Sequence, residues 1–118
     1  MKKQIISLLI IIFCLISSYS HSTVQNWEPA QDGDKIILIR HAKAPGGGDP
    51  KGFKIDDCKT QRNLDMMGIN QAKKIGKLFR KKKIKIDRVV SSQWCRCKDT
   101  AKYAFGNFKE FSALNSTY

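Results

Sequence analysis

Two places in this chain bring cationic side chains and an imidazole to where an anion could be received. Arg40 and His41 are adjacent and close an apolar run, Ile36-Ile37-Leu38-Ile39. Arg96 follows a second apolar stretch, Val89-Val90, across Ser91-Ser92-Gln93-Trp94-Cys95. A guanidinium group presents parallel N–H donors that match two oxygens of a phosphate, and an imidazole with a free lone pair is a nucleophile toward phosphorus. His41 with Arg40 and Arg96 therefore points to phosphoryl chemistry. Other constellations carry less. Gly46-Gly47-Gly48 is followed by no Gly-Lys-Ser/Thr, and Lys51 stands where a dinucleotide loop needs its last glycine. That segment reads as a lip over an anion pocket or as a plain loop, and Lys43, Lys51, Lys54 and Arg62 as cations that attract an anion there or as solvated charges. Arg80-Lys81-Lys82-Lys83 has no interleaved aromatic side chains on which bases could stack, so no specific nucleic-acid site is expected.

The elements that must position these groups follow from patterning. Lys35–Arg40, β-branched at three of its four apolar positions, predicts a strand buried on both faces of a parallel sheet. His41 then lies just past its carboxyl end, the edge at which open α/β sheets bind ligands. Residues 42–63 predict a long loop. Asp65 is suited to cap a helix on which Ile69, Ala72, Ile75, Gly76 and Phe79 share one face, with Lys73, Lys74, Lys77 and Lys81 turned away. Residues 86–91 predict a second strand. Ser92 is the expected cap of a second helix, with Trp94, Cys97, Ala101, Ala104 and Phe105 on its apolar face and Gly106 as its stop. Arg96 falls in the first turn of that helix, where free N–H groups and the helix dipole favour phosphate. A third short strand fits within 108–111. The order predicts an α/β layered domain with a parallel sheet.

The 118 residues carry 22 basic and 10 acidic side chains, a formal charge of +12. Residues 1–22 read as a signal peptide: Lys2-Lys3, the apolar run Ile5–Ile16, then small and polar residues. The run is short for a membrane span, so contact with a membrane is expected only through this segment before cleavage. Residues 23–34 form a polar leader and 35–118 the domain. An exported protein, periplasmic or extracellular, meets an oxidising environment, and Cys58, Cys95 and Cys97 remain after cleavage. A disulfide from Cys58 to Cys95 or to Cys97 is expected, since Cys95 and Cys97 are poorly placed to bridge each other on one helix. Three thiols with no second nearby histidine do not complete a zinc site.

Three segments together resemble the histidine phosphatase (phosphoglycerate-mutase-like) superfamily. LIRHAKA (38–44) resembles its Arg-His-Gly signature, NLDMMGINQA (63–72) its Leu-Thr-x-x-Gly-x-x-Gln-Ala segment, and VVSSQWCRCKDTA (89–101) its Ser-Ser-x-x-x-Arg-x-x-x-Thr-Ala segment. The resemblance implies that His41 is the phosphorylated nucleophile, that Arg40 and Arg96 clamp the phosphoryl group, that no metal or cofactor takes part, and that the partner is phosphate or a phosphorylated small molecule. The chain departs from the family at Ala42, where glycine is usual. The family also uses a second histidine from a later strand and an acid for the leaving group. No histidine follows Ser92, and the later carboxylates are Asp99 and Glu110. The domain is therefore expected to be incomplete at the C-terminus and inactive or very weak. The alternative from a different class is a non-catalytic basic exported module that binds phosphorylated or polyanionic ligands.

Overall fold

The computed structural model describes residues 26–115; the segment read as an export signal, 1–22, lies outside them. The leader makes one helical turn, α1 (Glu28–Gln31), with Pro29 near its start, where a missing N–H leaves no bond unmade. Its end is tied down. Gln31 Nε2 donates to the Lys82 carbonyl at 2.6 Å, and the Lys82 ammonium lies 5.7 Å from the centroid of the Trp27 ring.

Helix α2 (Met66–Lys81) starts where its sequence places it: the Asp65 carboxylate accepts from the Gly68 N–H at 2.7 Å. Arg80 and Lys81 sit in its last turn, complementing the helix dipole. Gly68, Ala72, Gly76 and Phe79 are buried at helical spacing, and the four lysines of the opposite face are exposed. That buried stripe receives helix α3 (Cys95–Phe105), and Phe79 meets Phe105 edge to face at 5.2 Å. Glycine at 76 sets the approach, because a Cβ there would overlap the Ala104 carbonyl. At Gly68 a Cβ would overlap the carbonyl of Lys43, two residues past His41, so α2 is seated directly against the backbone that carries the histidine.

The sheet is parallel, as the sequence predicts. β1 (Val90–Ser91) and β2 (Lys109–Glu110) pair with Val90 opposite Lys109 and Ser91 opposite Glu110. The Lys109 N–H donates to the Val89 carbonyl at 3.0 Å and the Phe111 N–H to the Ser91 carbonyl at 2.8 Å. Helix α3 is the crossover between the two strands, and β2 occupies the site expected for the third strand.

The first expected strand is corrected. Residues 35–40 pair with no strand among the described residues, and Ile36 and Leu38 are 91% and 84% exposed rather than buried. A strand exists by its ladder of inter-strand hydrogen bonds, and this segment has no neighbour. An open groove of about 1730 Å³ is lined by Ile36–His41 and by Val89–Ser92. The cap at Ser92 is also corrected. Trp94 is the N-cap of α3, and among the described residues no side chain caps it and the hydroxyl of Ser92, buried two residues earlier, has no partner. The buried face of α3 differs as well: it contains Cys95, Arg96 and Thr100 with Ala101 and Ala104, while Cys97 and Phe105 are only half-buried. The helix turns Thr100 inward, where it receives the Ala42 N–H, and Arg96 inward, where it meets Asp49.

Candidate functional site

His41 is half-buried, and its Nδ1 lies 2.7 Å from the Ala42 carbonyl. A carbonyl only accepts, so Nδ1 carries the hydrogen and Nε2 of the neutral ring keeps the lone pair. The backbone beyond the ring is locked from both helices. Ala42, 2% exposed, donates its N–H to Thr100 Oγ1 at 2.9 Å, and that hydroxyl donates to the Arg96 carbonyl at 2.7 Å. The Lys43 N–H donates to Gln71 Oε1 at 2.8 Å. Thus the Gln71 and Thr100 of the motif segments hold the loop that orients His41.

The His41 pKa lies below its ordinary 6.5, first because burial disfavours the charged ring, then because Arg96, Arg62 and Arg40 repel it; the Ala42 hydrogen bond acts in the opposite direction. The ring is neutral, hence nucleophilic, at pH 7. In the unfolded chain it binds a proton at higher pH than in the folded one, so its burial costs stability as pH falls below about 6.5. An NMR titration of the His41 ring should give a midpoint below 6.5. A midpoint at or above that value would contradict the burial and the cationic surroundings.

Arg96, the second residue of α3, is buried with 6% of its surface exposed. Its Nη1 is 3.0 Å from both oxygens of Asp49, and its guanidinium carbon stands 4.5 Å from the centroid of the Trp94 ring. Arg62 donates from Nη1 to the carbonyls of Ala44 at 2.8 Å and Gly46 at 3.0 Å. The Nε donors of Arg62 and Arg96 are both buried and have no partner among the described residues. Arg40 is exposed and lines the groove with His41 and Arg96.

The three residues singled out from sequence, Arg40, His41 and Arg96, thus line one groove. Gly47 and Gly48 line it too, as a lip would, whereas Lys43, Lys51 and Lys54 do not. Of the loop cations only Arg62 stands close enough to His41 to shift its pKa. Asp49 was not legible as a site residue, since an acidic residue between a glycine run and Pro50 looks like any turn. Glu110 is bound to Lys98 at 3.2 Å, at the surface.

Cys58 and Cys95 form the disulfide, with Cα atoms 5.6 Å apart, and Cys97 is free. The bond fastens the start of α3 to the 3₁₀ turn Cys58–Thr60, and Gln61 Oε1 accepts from the Cys95 N–H at 2.9 Å beside it. The cross-link spans 37 positions. In the chain-entropy view, reduction should lower stability by ~3–4 kcal/mol, read as a shift of the urea midpoint with and without reductant. An unchanged midpoint would contradict it.

A neutral imidazole thus stands among arginines at one end of a βαβ unit in an α/β domain. The sequence profile of the histidine phosphatase superfamily (branch 1) matches residues 36–113, and the chain belongs to that superfamily. No curated protein and no solved structure matches it significantly.

Proposed function

We propose that this chain is a phosphomonoesterase-type domain that accepts a phosphoryl group on His41 Nε2 and turns over slowly or not at all on its own. The observation that carries the reading is the neutral His41 ring standing among Arg96, Arg62 and Arg40, two of which keep a buried, unpartnered Nε donor. Buried donors without partners are costly, and a tetrahedral anion supplies the acceptors. Arg40 and Arg96 neutralise the phosphoryl oxygens as Nε2 attacks, and Arg62 adds to the field. Superfamily membership supports the phosphatase class. The substrate class is a phosphorylated small molecule.

Slow turnover has a specific support. Asp49 is committed to Arg96, and Glu110 pairs with Lys98 at the surface, so each of these carboxylates is already engaged by a cation. The sequence holds two histidines, and His21 lies in the N-terminal segment. The same facts favour a second reading, a basic module that binds phosphorylated ligands without chemistry. Export fits both, through the Lys2-Lys3 start and apolar run, and the Cys58–Cys95 bond supports an oxidising compartment.

An aryl phosphate with a good leaving group separates the two, because its departure needs little help from an acid. The expected result is His41-dependent release of at most one equivalent per chain, without further turnover. No release that His41→Ala abolishes would favour the binding module, and sustained His41-dependent turnover would contradict the weak-enzyme reading.

A further inference from the structure

We propose that Asp49 is the positioning residue for Arg96, holding its guanidinium group ready for the incoming anion; this rests on the phosphate-receiving reading of the site. Asp49 and Arg96 are 47 positions apart in sequence and meet with side chains 10% and 7% exposed. Both Asp49 oxygens engage the same nitrogen, Nη1, at 3.0 Å. The Trp94 ring lies against the guanidinium group at 4.5 Å, and Phe53 braces Trp94 at 4.7 Å between ring centroids. A carboxylate at one nitrogen and an aromatic ring against the group together remove its freedom to rotate. The contact leaves Nε unpartnered, so the arginine is held without being saturated.

Asp49 is itself anchored. Its Oδ1 accepts from the Arg62 N–H at 2.8 Å, while the Arg62 side chain draws in the carbonyls of Ala44 and Gly46. Gly46 has a φ of +96°, which glycine adopts without strain, and this lets the loop return toward Arg96. The glycine-rich loop is then a frame that delivers one carboxylate to one arginine. A long side chain ordered in advance does not lose that freedom when it binds, and affinity gains accordingly. A carboxylate that merely occupied the place of phosphate would act in the opposite sense, so the sign of its removal is informative.

The test is Asp49→Asn in the full chain, which keeps an oxygen to accept from the Arg62 N–H and removes the charge. Calorimetric titration with inorganic phosphate should show affinity lower by about tenfold. Nitrogen NMR of the arginine side chains should show the Arg96 guanidinium group rotating faster. Asp49→Glu, which keeps the charge, should stay closer to the wild type in both readouts, and Asp49→Ser, which also removes the charge, serves in place of Asp49→Asn should that variant fail to fold. Phosphate binding that tightens in Asp49→Asn, or Arg96 rotation that stays slow in it, would overturn the proposal. Absence of phosphate binding by the wild type, with Arg96 still freed in Asp49→Asn, would retain the positioning role and defeat the phosphate reading instead.

Discussion

Arg96→Ala should abolish measurable phosphate binding and destabilise the fold by about 3 kcal/mol. Both effects follow from one side chain, which donates to the anion and pairs with Asp49. Asp49, with a side chain 10% exposed, would lose its one cationic partner among the described residues and remain as a nearly buried, unpaired charge. Removing one member of a buried pair typically costs about 3–5 kcal/mol, and the residual solvent contact of Asp49 places this case near the low end. The Trp94 face would lose its cation as well. Replacing both members, Arg96→Ala with Asp49→Ala, should recover part of the stability, since no charge is then stranded, but none of the phosphate binding. Urea unfolding and phosphate titration on the three variants check this. A single-variant loss below about 1 kcal/mol would mean that the pair is effectively solvated.

Turnover should rise by at least about 100-fold when a strand fills the groove between residues 35–40 and β1. Losing a positioned acid typically costs about 10²–10⁴-fold, and losing one charge-stabilising donor about 10²–10³-fold. A segment designed to carry a strand, a second histidine and an acid, supplied by fusion or as a separate chain, offers both groups. It also offers a ladder to Ile36–Ile39, whose apolar side chains now face an open groove. Two consequences should appear together: a higher unfolding midpoint, and phosphatase activity that His41→Ala abolishes. Stabilisation without activity would mean that an acid and a second charge-stabilising donor are not what limits turnover.

Much of the site could be read before the fold. Arg40, His41 and Arg96 were singled out because phosphoryl chemistry restricts residue type and because each follows an apolar stretch, and all three line one groove although only the second stretch enters the sheet. The Asp65 cap was legible because capping is local, one side chain reaching one N–H three residues on. The groove was not legible. Ile36–Ile39 has the composition of a buried strand, but burial depends on a neighbour, and composition says nothing about whether one is present. Ser92 failed as a cap for a related reason. Where a helix starts depends on how the preceding strand turns, and here that turn puts Trp94 at the cap. The inward rotation of α3 was hidden too, because Thr100 is buried to bind the Ala42 N–H and Arg96 to meet Asp49, both long-range contacts. Asp49 joined the site through its contact with Arg96, which no local pattern encodes.

His41 is the group proposed to take the phosphoryl. Its most direct test is to incubate the full chain at pH 7 with a reactive phosphoryl donor and quench without acid, since phosphohistidine is acid-labile. Peptide mass spectrometry then locates the modification. The expected result is one phosphoryl group on His41, lost in His41→Ala and strongly reduced in Arg96→Lys, where a point charge replaces the planar donor set. An unmodified His41 in folded protein that binds phosphate, or a phosphoryl group found on another residue, would contradict it.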